Sequence, residues 1–438
     1  MPKLQKLIHY LIYLLVFLLP WQTRLIYKQI VLNNFNWEYA TLSLYVTELL
    51  LGIILFLSVI YFIPLLKSLK LKKTIKEQNK KNVLVWLLLI LCLIVNCFVA
   101  LNQEIAFYKF SQLIIAVAFA LVLVSTRIDW TKATWAFVFS GTIQASLAIS
   151  QFIEQKVQAN KWLGLAEQNP ETLGTPVVQL ENLRWLRTFG ALPHPNILAG
   201  FLAVSLILII GLFALTKIKK HQKFLSMIFV ITFLGLLTTL SRSAVIVFIL
   251  AIIIFSFVAR KDKILTKHIS KFALIALFII IIFTVSFPNL ISARTSINNE
   301  LEAQSNITRL EQYKQFLPIM KTHWLTGLGL GNYTVALVNE NQTLEGWQYQ
   351  PIHNTYLLIF GELGIIGLAI NLMFLIYCLF NLFKNNNWSI EKTTSFIALL
   401  TIAGLALFDH YLWSFWFGLI MFSFIIGLNI LTNKTSKI

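Results

Sequence analysis

Charge is what this 438-residue chain has least of: only 12% of its residues are charged, and 58% are hydrophobic. A soluble fold needs far more polar surface than that to cover its core, and the mean hydropathy of +0.75 points the same way. Cysteine is nearly absent. The three present, Cys92, Cys97 and Cys378, all lie inside apolar runs, which excludes a secreted disulfide scaffold. There is no Walker loop, no dinucleotide fingerprint and no Asp-x-Asp pair, and the seven histidines are dispersed. Nucleotide hydrolysis, a metal site and any other resident cofactor are therefore not expected. Acidic residues number 18 against 36 basic, a net charge of +18. That balance invites a nucleic-acid-binding reading until the charges are placed along the chain.

What the chain has in abundance is long apolar runs. Twelve can be counted, at roughly 7–21, 41–65, 83–101, 105–126, 133–153, 191–216, 224–241, 242–259, 272–288, 353–382, 393–408 and 411–432. They predict an all-α, polytopic integral membrane protein of about twelve spans, forming a single membrane domain over 1–438. The first run follows Lys3 and Lys6 and has no small-x-small cleavage site after Pro20-Trp21, so it reads as a signal anchor. With the N-terminus inside, the inner segments collect 24 of the 36 basic residues, including seven lysines from Lys67 to Lys81, and the remainder is close to neutral. This is the positive-inside pattern with anionic-lipid contact. It accounts for the lysines without nucleic acid and puts both termini in the cytoplasm. Two outer segments are then long, about 154–190 and about 289–352. Within the second, Ile307, Leu310, Tyr313, Phe316, Leu317 and Met320 recur at three and four, which predicts an amphipathic helix over 306–324 along the membrane surface. Ser305 or Asn306 would cap it and the glycines of Gly327-Leu-Gly-Leu-Gly-Asn332 would stop it.

Polar residues at the outer ends of the spans are few, and each asks for a reason. Arg242 sits in Leu240-Ser-Arg-Ser243 between two spans with almost no loop. It reads either as a snorkelling anchor or as a guanidinium placed to bind phosphate. Arg309 lies on the amphipathic helix, where a surface ion pair with Glu302 or Glu311 is the plainer alternative. Arg184 and Arg187 precede Thr188-Phe-Gly-Ala-Leu-Pro-His-Pro-Asn196, an irregular span entrance of the kind tolerated where it lines a wet cavity or is buried in protein. His353 stands where the large outer loop re-enters the membrane, facing the same side as Arg242, Arg187 and Arg309; a polar anchor is its plainer reading. Glu362, nine residues on and about 14 Å along a helix, is expected to pair with a neighbouring span or with backbone rather than with His353. Asp409 with His410, and Lys109 with Glu104, read as local anchors.

Four of these segments, in this order, resemble the O-antigen ligase and O-antigen polymerase superfamily: Arg187-Thr-Phe-Gly-Ala-Leu-Pro-His-Pro-Asn-Ile-Leu-Ala-Gly-Phe201, Thr239-Leu-Ser-Arg-Ser-Ala244, Gly327-Leu-Gly-Leu-Gly-Asn-Tyr333 and His353-Asn-Thr-Tyr-Leu. The resemblance covers about 180–370. It implies a multispan enzyme of the bacterial cytoplasmic membrane, working on the outer face without metal or nucleotide. The donor would be a glycan on undecaprenyl pyrophosphate, and the acceptor a glycan, lipid or protein. The resemblance puts the catalytic residues at His353, Arg242 and Arg309, with Arg187, His194 and Asn196 binding substrate. On that reading the arginines stabilise the pyrophosphate leaving group and His353 serves as general base toward the acceptor hydroxyl. The displacement would invert the anomeric centre, because no carboxylate is evidently placed as a nucleophile. A ligase is the leading expectation and a repeat-unit polymerase or protein O-oligosaccharyltransferase the nearest alternative. A lipid-linked glycan transporter, with the same arginines and no chemistry, and a scaffold of a polysaccharide assembly complex are competitors of different class.

Overall fold

The computed structural model describes residues 2–68, 90–180, 183–296, 300–380 and 388–435. Each of the twelve apolar runs meets a helix. They are α1 (Pro2–Phe17), α2 (Val46–Ser68), α3 (described over 90–98), α4 (Gln103–Ser125), α5 (Trp130–Glu154), α6 (Pro195–Leu215), α7 (Lys219–Thr238), α8 (Arg242–Val258) and α9 (Lys263–Ser286). After the large outer segment come α13 (Thr355–Phe380), α14 (Ile390–Leu405) and the pair α15 (Tyr411–Ser414) and α16 (Trp416–Thr435). Among the described residues eight helices are long and apolar enough to cross a membrane, namely α2, α4 to α9 and α13. The chain is thus a mainly helical, multi-pass membrane protein. The other four runs do not reach that length among the described residues: α1 and α14 have 16 residues each, the apolar part of α16 is Trp416–Thr432, and only part of α3 is described. The rest of the third run and most of the lysine-rich inner segment lie outside the described residues, as do Lys384 and Lys437.

Helix boundaries follow local chemistry. Asn102, Asp129 and Asp262 cap α4, α5 and α9 with side-chain oxygens that accept backbone N–H groups of the first turn. Pro195 opens α6 at a position where no backbone N–H is needed. The chain is not purely helical. β1 (Arg24–Lys28) pairs antiparallel with β4 (Leu42–Tyr45), enclosing the small hairpin of β2 (Val31–Leu32) and β3 (Phe35–Asn36). β5 (Val177–Gln179) pairs with β6 (Arg184–Leu186) inside the first long outer segment. These short ribbons lie between spans that the all-α expectation left as loops.

At the centre of the bundle is α6, packed by α5, α7, α8, α9 and α14. Its small residues explain the position. A side chain at Gly200 would meet the Tyr411 hydroxyl at 1.9 Å, and one at Gly211 would meet the Thr394 hydroxyl at 2.4 Å. Close approach of this kind is the main source of helix association where lipid is as apolar as leucine.

The long segment between α9 and α13 holds α10 (Pro288–Thr295), α11 (Glu300–His323) and α12 (Tyr333–Glu340). The amphipathic helix therefore begins at Glu300, before the expected cap at Ser305 or Asn306. It is also two-sided: Gln312, Phe316, Ile319 and Met320 are buried, while Ile307, Leu310 and Leu317 are exposed. After it the glycine turn threads between α3, α4 and α13. Gly327 and Gly329 have φ of +73° and +103°. Cβ atoms there would meet the Glu362 carbonyl oxygen at 2.3 Å and Ala100 Cβ at 2.2 Å, so only glycine fits. Leu328 N–H donates to the Gly361 carbonyl and Gly329 N–H to that of Glu362, both at 3.0 Å, which ties the loop to the outer end of α13.

Candidate active site

The entrance to α6 is irregular and fully backed by buried polar side chains. Gln151 Oε1 on α5 accepts from the N–H groups of Phe189 (3.0 Å) and Gly190 (2.9 Å), and Gln144 Oε1 accepts from Ala191 N–H (2.6 Å). His194 is the cap: its Nδ1 accepts from Asn196 N–H at 3.1 Å. Arg187, buried at 7% exposure, donates from Nε to the Thr239 carbonyl at 3.0 Å and from Nη2 to Asn196 Oδ1 at 2.7 Å. The Asn196 amide in turn donates from Nδ2 to Asp409 Oδ2 at 3.2 Å. A guanidinium, an amide and a carboxylate thus form one chain of hydrogen bonds from the α7–α8 turn to the α14–α15 turn.

His353 reaches the same place from the other side. Thr355 N–H donates to the Ala406 carbonyl (2.8 Å), Thr355 Oγ1 to the Asp409 carbonyl (2.8 Å) and Asn354 Nδ2 to the Leu407 carbonyl (3.2 Å). The start of α13 is therefore stapled to the α14–α15 turn. His353 Nδ1 lies 2.8 Å from Gln312 Oε1, and that oxygen also accepts the His353 backbone N–H at 3.4 Å. An amide oxygen carries no proton, so Nδ1–H must donate and Nε2 becomes the basic atom of the ring. The His353 ring meets His410 edge-on, with centroids 5.2 Å apart.

The electrostatics keep these imidazoles neutral. Burial lowers the pKa of His353; the negative charge of Asp409 opposes that shift, and the positive charge of Arg309 adds to it. Burial likewise lowers His194 and His410. For Asp409 burial alone would raise the pKa, but attraction to the charged forms of His410, His353 and His194, with the His410 N–H donating to Oδ1 at 2.7 Å, brings it below the usual carboxylate value. One buried carboxylate beside three neutral imidazoles and a guanidinium results.

These contacts join Arg187, His194, Asn196 and His353, and Arg309 is coupled to His353 through its charge. Among the described residues no ion pair links Arg309 to Glu311. Arg242 connects to the others through its backbone, since the turn that carries it supplies the Thr239 carbonyl to Arg187. Its side chain donates from Nη1 to the Arg294 carbonyl at 3.1 Å. Glu362 behaves as expected: it accepts from Trp413 Nε1 at 2.7 Å, well away from His353. Lys109 and Glu104 part company, however. Glu104 pairs with Lys28, and Lys109 donates to the Ser414 carbonyl at 2.7 Å.

Three residues of the cluster escaped the sequence reading. Asp409 and His410, read there as local anchors, stand inside the cluster. Gln312 received no role at all. A buried glutamine one turn beyond Arg309 on a surface helix was the available signal for it, but burial of that face shows only once α11 is packed.

Residues 227–372, about a third of the chain, match the family model described as O-antigen ligase. No curated protein matches the chain significantly. The matched segment carries Arg242, Arg309, Gln312 and His353, and over that segment the chain is similar to the O-antigen ligase family.

Proposed function

We propose that this protein transfers a glycan from an undecaprenyl-pyrophosphate-linked donor to an acceptor hydroxyl on the outer face of the bacterial cytoplasmic membrane, as a metal-independent, inverting ligase. On this reading the chain has twelve spans with both termini inside, and the segments 154–190 and 289–352 lie outside. The observation that carries the proposal is the His353–Gln312 bond, 2.8 Å from Nδ1 to Oε1, which leaves a half-buried neutral imidazole with Nε2 as its base. It stands beside a network containing Arg187, inside the segment matched to the ligase family.

The chemistry divides between the two sides of the cluster. Arg242 and Arg309 bind the pyrophosphate and stabilise the charge that develops on it as the anomeric C–O bond breaks. His353 Nε2 takes the proton from the acceptor hydroxyl as its oxygen attacks the anomeric carbon, and a positioned base of this kind contributes about 10²–10⁴-fold. Arg187, His194 and Asn196 hold the entrance of α6 against Asp409 and bind the donor beside them. Both Asp409 oxygens are engaged, one by Asn196 Nδ2 and one by His410 N–H, which suits an orienting carboxylate better than a nucleophile and agrees with inversion.

The test is transfer by purified protein in membranes, with an undecaprenyl-pyrophosphate glycan donor and EDTA present. Wild type is compared with Arg242→Ala and His353→Ala at equal folded amount. Transfer by wild type and loss in both variants is the expected outcome, and the product sizes separate a ligase from a polymerase. Donor binding that depends on Arg242, with no product from any acceptor, would replace the proposal with a transporter.

A further inference from the structure

Between α7 and α8 the chain reverses within Thr239, Leu240 and Ser241, and Leu240 takes a φ of +52°. That left-handed conformation is unfavourable for a side chain with a Cβ. The turn's own backbone contributes two bonds, from Thr239 N–H to Leu236 O and from Leu240 N–H to Leu237 O. Its carbonyls are held from outside by guanidiniums. Arg187 Nε donates to Thr239 O at 3.0 Å, and Arg294 Nε donates to the next carbonyl, Leu240 O, at 2.8 Å. The contact with Arg294 is reciprocal, since Arg242 Nη1 donates to the Arg294 carbonyl at 3.1 Å. Arg294 belongs to none of the motifs discussed above. It sits in the last turn of α10, between the end of α9 and the helix that carries Arg309 and Gln312.

We propose that Arg294 is a positioning residue for Arg242: together with Arg187 it clamps two successive carbonyls of the 239–241 turn in the strained conformation that presents the Arg242 guanidinium to an anionic substrate. The inference rests on Arg242 being an anion-binding group. Guanidinium suits the task, because a charge-assisted N–H to a carbonyl is stronger than a neutral one. The two carbonyl oxygens also offset part of the positive charge of Arg187 and Arg294, so that three arginines are accommodated around one turn. The clamp thereby links the turn that carries Arg242 to α10.

The experiment uses the full chain in nanodiscs, as wild type, Arg294→Met, Arg242→Met and the double variant. Amide hydrogen exchange is followed over 237–245 and over α6, and binding of inorganic pyrophosphate is measured by calorimetry. In Arg294→Met, exchange in the turn should rise about tenfold or more with α6 unchanged, because a local opening is released without global loss. Pyrophosphate affinity should fall about tenfold, the worth of one hydrogen bond to a charged group. The double variant should bind no more weakly than Arg242→Met alone, because Arg294 acts through Arg242. Unchanged exchange in the turn overturns the clamp. A double variant that loses the product of the two single losses also overturns it, since Arg294 would then touch the anion itself. Should wild type bind no pyrophosphate, the reading of Arg242 fails while the exchange data still decide the clamp. If Arg294→Met does not fold, Arg294→Gln takes its place in the same comparison.

Discussion

Two helices carry the two sides of the candidate site, and in sequence they look alike. α6 and α13 are both long and strongly apolar, yet 94% of the most apolar stretch of α6 is buried inside the protein against 17% of that of α13. The difference lies in their small residues. Along α6, Gly200 meets Tyr411, Ser205 fills the space beside Gly141, and Gly211 meets Thr394, so neighbours close in along its whole length. In α13 the close contacts gather in its N-terminal half, where Gly361 meets Tyr333 and Gly364 meets Leu325. Farther along, Met373, Ile376 and Tyr377 are exposed. His194 and Asn196 thus stand on the hub of the bundle, whereas His353 stands on a helix held by the outer loop and the α14–α15 turn. Hydropathy finds both spans; only packing tells the rigid one from the peripheral one.

The comparison breaks most sharply at the residues themselves. His353→Ala should lower transfer by about 10²–10⁴-fold while the melting temperature stays within a degree or two, since the ring makes one side-chain hydrogen bond at the edge of the bundle. Asn196→Ala on the hub side should cost both activity and about 1–3 kcal/mol of stability, because it leaves Arg187 and Asp409 with an unmet partner each. Unfolding curves in detergent, read beside the transfer assay, check the pair. An unfolded His353→Ala would place the hub at the wrong helix.

A smaller effect separates the two helix bodies. Leu208, fully buried on α6, should cost about 2–5 kcal/mol when cut to alanine, because a cavity is left that neighbours fill only in part. Met373 on α13, 61% exposed, should change stability by less than about 0.5 kcal/mol. Equal losses in the two variants would mean that another chain or a bound lipid covers α13 as tightly as the bundle covers α6.

Much of this was legible before any coordinates. Apolar runs located the helices; the short motifs carry Arg187, His194, Asn196, Arg242 and His353, while Arg309 was singled out on the amphipathic helix. Two of the four motif segments are bonded directly, because the Arg187 guanidinium donates to the Thr239 carbonyl, and the glycine turn is tied to the N-terminal part of the helix that His353 precedes. What stayed hidden were partners supplied from far along the chain. Asp409 lies 213 residues from Asn196, and nothing in a short turn after an apolar run distinguishes a buried carboxylate from an exposed one. Gln312 was lost because the face of α11 that it occupies was assigned to the membrane surface, while the structure turns that face toward His353. The ribbons of β1 to β6 escaped because strands of two to five residues leave no periodicity to read.

The smallest expected effect tests the role of that glutamine. Burial and Arg309 hold the His353 pKa below its ordinary value against the pull of Asp409. A base must be deprotonated to act, so activity is lost as pH falls through its pKa. With that pKa lowered, kcat/KM should stay level from pH 8 down through the ordinary histidine value of about 6.5 and decline only at lower pH. Gln312→Leu removes the acceptor that keeps the proton on Nδ1, and the ring then divides between two tautomers of which one presents Nε2 as base. The loss in kcat should be about two- to tenfold, the worth of a single hydrogen bond between neutral groups. It should be constant across the plateau, because a tautomer balance involves no net proton uptake. The acid limb should not move upward, since the lost bond favoured the protonated ring at least as much as the neutral one. A Gln312→Leu enzyme whose limb rises to pH 7 or above, or a wild-type limb already at 6.5 that persists in His353→Ala, would assign the titrating base to another of the clustered imidazoles, His410 being the nearest.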